Sequence, residues 1–568
     1  MKASETSLRN LLEGGKQFQI PLFQRPYSWK KDNWETLWED LMSLYTGAVQ
    51  GSYFLGPIVT QSVFGTADGI SPFVVIDGQQ RLTTLTIVLA VLRNYLKKLD
   101  SNMAKEVEEL YLLNKFKKND DCYKLLPTQD DRDVYKNIIQ SKKPKDLKKE
   151  GQIYEAYKFF DAKFKKPDSE EEFELDYIKF KTILLENLLL VNITTDANDN
   201  PYLIFESLNN KGEDLTQADL VRNYIFMKLP LEERDEIYNS QWLPLQESFK
   251  KNVSHKEYAG ELTKSFWFYL RKDGKDINEK EVYKAIKKRF DDLSCNNKMK
   301  VELEKLITFS NYYLRLNFNN EEPELKLKER FGRLKRLDFT TCHIFLLNIY
   351  HQYEEGNLSL EAFEKILCYL ESYFVRRWFV GIPTKSLGIV FNNLYNQVKQ
   401  KDSDDLVNGL HTVLANFDKN QRHPDDSEFC QALIGKTLYS SKGSNDRVKL
   451  VLESIEASLS KERVNPESLN IEHIMPQSLT KEWKAILGEN YTNLHKKWLH
   501  TLGNLTLTGY NSELSNKPFK EKSAHLQKNS TLALNKYYQQ EKVDIWNEEA
   551  IKTRAEHLAN IAIKIWLR

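Results

Sequence analysis

The chain has 568 residues, 41% of them hydrophobic and 12% aromatic, which is more than one hydrophobic core usually serves, so two to four packed domains are expected. Lys and Arg number 82 against 81 Asp and Glu, a net charge of +1; this excludes a strongly basic, charge-driven nucleic-acid binder and leaves any DNA contact to local basic surface. No apolar run approaches the roughly 20 residues of a membrane-spanning helix, the N-terminus lacks a secretory pattern, and the five cysteines are scattered singly, so a cytoplasmic protein without disulfides or structural zinc is expected.

To about residue 100, short apolar runs alternate with turns. Residues 18–23, 53–61 and 73–76 read as strands and 29–45 and 82–99 as helices, the spacing of a small α/β domain. The stretch 102–149 is lysine-rich and weakly patterned, with Lys142-Lys143-Pro144-Lys145 inside it, and reads as a solvated linker or insertion. Residues 188–193 form a continuous apolar run, a buried strand, followed by a polar turn at 194–201. From 203 to about 455 the spacing is helical, as at 306–316, 341–353, 360–378 and 387–398, so a large helical middle is expected. The last hundred residues return to short strands and helices and close with an amphipathic helix at 548–566. The expected fold class is α+β, helix-rich and multidomain, with regions at 1–230, 231–455 and 456–568; no internal repeat or low-complexity segment interrupts it.

Two polar constellations carry chemistry. In the first, a strand at 73–76 leads through Asp77-Gly78 into a helix, so Gln79, Gln80 and Arg81 lie where helix N-terminal amides point outward and attract phosphate. Arg81 adds a fixed cation, and Asp77 could hold magnesium or a ribose hydroxyl; a plain Asp-Gly turn capping a helix explains the same residues. The pattern is not GxxxxGK[ST], so a P-loop NTPase is not supported. Two companions are the aromatic run 21–29, with Gln24, Arg25, Tyr27 and Trp29, and the glycine turn 205–215, with Asn209 and Lys211, followed by Asp219.

The second constellation is Asn470-Ile471-Glu472-His473-Ile474-Met475-Pro476, then Leu502-Gly503-Asn504-Leu505, then Asn511. It reads as strand, loop with a helix at 479–487, strand at 503–508 and helix at 512–526. Such a unit can face His473 and Asn504 across two strands and converge Glu472 and Asn511 on one hard cation, leaving the histidine as general base for phosphodiester hydrolysis. Alternatively, His473 caps a strand and the asparagines serve turns. Lys517, Lys520 and Lys522 follow on the helix and could meet DNA phosphates or form a solvated basic face.

The Glu-His-x-x-Pro and Gly-Asn-Leu pieces, over about 465–525, resemble the HNH (ββα-metal, His-Me finger) nuclease domain of GmrD-type proteins. The pieces at 21–29, 77–81 and 205–223, within about 5–100 and 185–225, resemble the GmrS-type domain, an NTP-binding and hydrolysing fold related to ParB and sulfiredoxin. Both in one chain resemble the single-chain GmrSD type IV restriction enzymes, BrxU among them, and the related SspE proteins. The resemblance implies that His473 activates water, that Asn504 orients the histidine or the phosphate, and that Glu472 and Asn511 (or Asn516) hold Mg²⁺ or Mn²⁺. It implies further that Asp77, Gly78, Gln79, Gln80, Arg81, Gln24, Arg25, Asn209, Lys211 and Asp219 take a nucleoside triphosphate with Mg²⁺. Tyr27 and Trp29 would sense the DNA, and Lys517 and Lys522 would contact its phosphates. The implied activity is cleavage of modified phage double-stranded DNA under NTP control, with room for a homodimer. Its rivals are an SspE-like phosphorothioate-sensing nickase and a nucleotide-regulated DNA-binding switch with an inactive HNH fold. Tyr373 to Arg377 also resembles a recurring piece of the helical region, although Arg376 and Arg377 read equally as a salt-bridged helix end.

Overall fold

The computed structural model describes residues 2–63, 69–141, 151–166, 174–195, 215–254, 257–440, 445–460 and 468–568. The chain divides into two compact units, one of Met1–Glu247, Ser254–Thr263 and Tyr283–Leu303, the other of Ser248–Val253, Lys264–Val282 and Glu304–Arg568. Helices dominate, and the described strands form one six-stranded and one two-stranded sheet. This is an α+β chain. No helix among the described residues is long and apolar enough to cross a membrane.

In the first unit the strands are β1 (Lys2–Ser7), β2 (Lys16–Gln19), β3 (Tyr53–Ser62), β4 (Ser71–Asp77), β5 (Leu125–Leu126) and β6 (Leu188–Thr195), in the order β1-β6-β3-β4-β2-β5. β1 runs antiparallel to β6 and β3 to β4, while β2 is parallel to both β4 and β5. The runs expected at 53–61, 73–76 and 188–193 fall in β3, β4 and β6. β2 is shorter than the expected 18–23: Ile20 still donates its N–H to Leu126 O at 2.9 Å, but Pro21 has no N–H to continue the ladder.

The stretch 102–149 is not a solvated linker over its described part. It folds as helices Ser101–Val107 and Gln129–Ile139 around β5, and Val107, Tyr111, Leu112, Leu125, Tyr135 and Ile139 are buried in the core. The lysines dilute an apolar pattern that is nonetheless complete; residues 142–150, including Lys142, Lys143 and Lys145, lie outside the described residues. Helix Gln79–Leu99 is buried nearly all round, which makes it the core helix of the unit.

The second unit is bolted by buried arginines. Arg376 donates to Trp566 O at 2.8 Å, Pro424 O at 3.0 Å and Asp426 Oδ1 at 2.6 Å, and Arg377 donates to Asn420 O at 2.8 Å and Pro383 O at 3.0 Å. Both are fully enclosed, so they are internal fasteners, more than a salt-bridged helix end, and they anchor the residue that ends helix Glu548–Ile565. Two further strands, β7 (Asn470–His473) and β8 (Leu505–Thr508), pair antiparallel with His473 opposite Leu505. The helix expected at 512–526 is two, Asn511–Leu514 and Phe519–Asn529, broken where Ser515 takes φ +39° and Pro518 interrupts the donors.

His343 and His423 are buried in this unit, and burial pulls their imidazoles down to about 4 and about 3 respectively. Their folded values lie below the unfolded value near 6.5, so the stability they allow is complete above that pH and is lost as pH falls from about 6.5 towards 4 and 3, where only the unfolded chain takes up the protons. Urea unfolding of this unit should therefore weaken from pH 7.5 to pH 5, by up to about 1.4 kcal/mol per pH unit per histidine. Replacing both by glutamine should make that dependence shallower, leaving the share of the buried His473 in the same unit; an equally steep one in the double variant contradicts the assignment.

Candidate functional site

In the β7–β8 unit, Asn504 is fully buried. Its Oδ1 accepts from Met475 N–H at 2.7 Å and Trp546 Nε1 at 3.0 Å, and its Nδ2 donates to Met475 O at 3.0 Å and Leu499 O at 2.8 Å. The amide therefore ties the loop after β7 to the turn before β8. It does not face His473 across the strands, which corrects the expected role: a side chain with every donor and acceptor engaged is a fastener. Gly503 beside it is required by close approach, since a Cβ there would stand 2.2 Å from Ile551 O. Arg554 holds the same corner through Gly503 O at 2.8 Å and Leu505 O at 2.7 Å.

Successive residues of a strand point to opposite faces, and β7 uses both. On one, Glu472 Oε1 pairs with Lys522 Nζ at 2.7 Å, and the same ammonium donates to His473 O at 2.8 Å. Lys522 is wholly buried. Burial raises the Glu472 carboxyl and lowers the Lys522 ammonium, each opposed by the partner's charge. Lys522 is thus a buried counter-ion and not a DNA-phosphate contact, correcting that expectation. Lys517 and Lys520 stay exposed.

On the other face, and so turned away from Glu472 where the sequence predicts the two side chains at one centre, His473 Nε2 lies 3.0 Å from His500 Nδ1. Tyr439 crosses the His473 ring edge-on at 4.7 Å and stacks on His500 at 5.5 Å. His473 is only 4% exposed. Burial first, then His500, Lys522 and His495, pulls its imidazole down to about 3, so the ring is neutral at any physiological pH. His495 Nε2–H donates to Pro476 O at 2.9 Å, fixing that tautomer. His500, His495 and Tyr439 were not legible as site residues: each stands alone in sequence, and only the clamp at Asn504 brings His500 back to the end of β7.

Asn511 opens helix Asn511–Leu514 and donates Nδ2 to Ile471 O at 3.1 Å, while its Oδ1 is buried without a hydrogen-bond partner. No group of three or more His, Cys, Asp or Glu among the described residues is gathered as a metal site. The oxygen donors at hand are the orphaned Asn511 amide oxygen and the Glu472 carboxylate, whose Oε1 already carries Lys522 Nζ; oxygen donors of this kind suit a hard, water-rich cation such as Mg²⁺ and not zinc. Asn516 is exposed, which favours Asn511 over it.

In the first unit, the structure brings Asp77, Gly78, Gln79, Arg81 and Arg25 to one turn. Gly78 caps the helix at φ +88°, where a Cβ would meet Ile58 Cδ1 at 2.5 Å and Pro57 O at 2.9 Å, so only glycine fits. Burial raises the Asp77 carboxyl, opposed by Arg81, the Gly78 N–H and Arg25. Gln79 Nε2 donates to Arg25 O at 3.3 Å, and Arg81 donates to Pro57 O.

Four other expected contacts are engaged elsewhere. Gln24 Nε2 donates to Val75 O at 2.8 Å and Ile76 O at 3.2 Å, and Gln80 Oε1 accepts from Ser28 N–H at 2.8 Å and Trp29 N–H at 3.3 Å. Thr216 caps the helix that carries Asp219, its hydroxyl accepting from Asp219 N–H at 3.1 Å and donating to Asp219 Oδ2 at 2.7 Å, and Asp219 pairs with Arg222 at 2.7 Å. Tyr27 is buried, its hydroxyl 2.6 Å from Thr84 and 2.8 Å from Trp34 Nε1. It is a core residue and cannot read DNA, which corrects that expectation; Trp29 packs half-buried against the same core. Asn209 and Lys211 lie outside the described residues.

Residues 8–226 match the family model of the GmrSD restriction endonuclease N-terminal domain, and residues 423–561 match that of the GmrSD C-terminal domain, together well over half of the chain. The chain belongs to the GmrSD restriction endonucleases. This GmrSD chain is thus a type IV restriction nuclease of anti-phage defence whose substrate is DNA. No curated protein matches it.

Breaking a buried pair strands one charge, at a cost of roughly 3 kcal/mol. Lys522→Met should therefore lower the urea stability of the second unit by about 3 kcal/mol, whereas Lys517→Met at the surface should change it by less than about 0.5 kcal/mol. Equal effects would show that Lys522 is not a buried counter-ion.

Proposed function

We infer that this GmrSD chain recognises modified foreign DNA, such as hydroxymethylated or glucosylated phage DNA, and hydrolyses it at β7–β8 with a divalent cation, under control of NTP binding and hydrolysis at the Asp77 turn. The observation that carries the reading is the His473 imidazole, neutral and hydrogen-bonded to His500, at the end of a strand whose following loop is pinned by Asn504. A cation would be held by the unpartnered Asn511 Oδ1 and by the Glu472 carboxylate alongside its Lys522 partner, and would polarise the phosphate and stabilise the departing oxygen.

In this reading the Nε2–H of His473 donates to His500 Nδ1, leaving the other ring nitrogen to accept a proton from the attacking water. A ring held near 3 is by itself a weak base. The pairing offsets this in part, because as one nitrogen takes a proton the Nε2 proton can pass to His500, which is more exposed although burial and His495 lower its imidazole as well. Lys522, bonded to the His473 carbonyl, keeps the backbone of the base from shifting. At the other end of the chain, the first-turn amides after Gly78, with Arg81 and Arg25, suit the phosphates, and Asp77 suits their magnesium.

The test is Mg²⁺-dependent cleavage of hydroxymethylcytosine, phosphorothioate and unmodified plasmids, with and without each NTP. Wild type should cut the base-modified plasmid best; His473→Ala should lose at least about 100-fold and His500→Ala roughly 10-fold or more, the scale of general-base catalysis. Preference for phosphorothioate DNA would favour a sulfur-sensing nickase, and intact plasmid under every condition would favour a DNA-binding switch. Asp77→Ala or Arg81→Ala should lower NTP turnover at least tenfold with unchanged circular dichroism; unchanged turnover in both removes the nucleotide from this turn.

A further inference from the structure

A cavity of about 430 Å³ opens in the first unit, lined by residues that include Gln17, Gln19, Leu22, Phe23, Val74 and Arg234. That is within the range of small-molecule sites, roughly 300–1,000 Å³. None of these residues belongs to the Asp77 turn. β2 sends Phe18 into the core and its alternate residues Gln17 and Gln19 to the cavity side.

The two glutamines are ordered relative to each other. Gln17 Nε2 donates to Asp120 O at 2.8 Å and Tyr123 O at 3.0 Å, which uses both of its hydrogens, so its Oε1 accepts from Gln19 Nε2 at 2.7 Å. This fixes which way the Gln19 amide is turned and leaves it one carbonyl oxygen and one N–H without a partner among the described residues. A carboxamide with a free donor and acceptor is the group that pairs two-fold with the edge of a nucleobase.

Arg234 supplies a second oriented donor. Its Nε and Nη2 are held by Leu229 O at 2.8 Å and Met227 O at 2.6 Å, and its remaining nitrogen has no partner among the described residues. Between these polar groups the walls are apolar, from Leu22, Phe23 and Val74. Asp120, Asp121 and Asp235 also line the cavity, with Arg132 3.6 Å from Asp120, so the carboxylates outnumber the guanidinium groups and oppose a phosphate. A flat, neutral heterocycle satisfies all of these features.

We propose that this cavity receives a nucleobase, its hydrogen-bonding edge on the Gln19 amide and an acceptor atom on Arg234. Phe23 links the cavity to the nucleotide turn: its carbonyl is held by Arg222, and the next residue, Gln24, is bonded to the strand that enters Asp77. The base could belong to a triphosphate or to a modified nucleotide extruded from DNA. The inference rests on the proposed function only for these two sources.

Full-length Gln19→Leu, and Val63→Trp filling the cavity from its partly exposed rim, are compared with wild type in turnover of ATP, GTP, CTP and UTP and in cleavage of hydroxymethylcytosine against unmodified DNA. A two-fold base pairing is worth roughly 1–3 kcal/mol, a shift of about 5- to 150-fold. Such a shift in NTP preference with DNA discrimination intact identifies the base of the triphosphate. The same shift in DNA discrimination with turnover intact identifies an extruded base. Folded variants within two-fold of wild type in both assays overturn the proposal. Should wild type neither cut nor turn over NTP, the proposed function is what fails. The cavity is then judged by saturation-transfer NMR with adenosine, guanosine, 2′-deoxycytidine and 5-hydroxymethyl-2′-deoxycytidine, where signals lost in Gln19→Leu sustain it and no signal in wild type overturns it.

Discussion

The buried ammonium of Lys522 is the constraint on which the β7–β8 unit depends. Removing a lysine from water costs several kcal/mol unless its charge and hydrogen bonds are met inside, and here it is met by the Glu472 carboxylate and the His473 carbonyl on adjacent residues of β7. Those contacts settle which way β7 faces. Because neighbouring strand residues diverge, tying Glu472 to the helix Phe519–Asn529 side sends His473 the other way, to His500 and Tyr439. Asn504 and Arg554 then fix the partner strand and its turn. His473 is thus positioned through its own carbonyl by Lys522 and through the neighbouring loop and strand by Asn504 and Arg554.

The N-terminal half uses polar motif residues in the same double manner. Gln24, Gln80, Asp219 and Tyr27 hold the 21–29 loop, strand β4 and the helix starts together, while Asp77, Arg81 and Arg25 stay grouped at the turn. A recurring motif therefore mixes residues that build a site with residues that act in it, and sequence identity alone does not separate the two. Gly78 belongs to the builders for a purely steric reason, since both its positive φ and its contact with Ile58 exclude a side chain.

Much of this was readable from the residues. Continuous or alternating apolar runs located β3, β4 and β6, helical spacing located the middle helices, and the order of Glu-His-x-x-Pro and Gly-Asn-Leu marked the antiparallel β7–β8 pair. β1 was missed because Lys2 to Ser7 carry no apolar alternation; as an exposed edge strand it needs only backbone partners on β6. The folded part of 102–149 was missed because its lysines mask the buried Tyr111, Leu112 and Ile139. Lys522 was misread for a physical reason: a lysine in a basic helix is ordinarily solvated, and nothing local reveals that Glu472, fifty residues earlier, will meet it. His500 stood outside every motif because its role comes from a loop closure and not from spacing.

The central claim is a division of labour around β7: oxygen atoms of Glu472 and Asn511 for a cation, and the His473 imidazole left free of metal to handle the proton. Anomalous diffraction from crystals soaked in Mn²⁺ tests it most directly. The account predicts a single peak in this unit within coordination distance of Asn511 Oδ1 and the Glu472 carboxylate, with none on the His473 and His500 nitrogens. A peak seated on the two imidazoles, or none near Asn511, would contradict it.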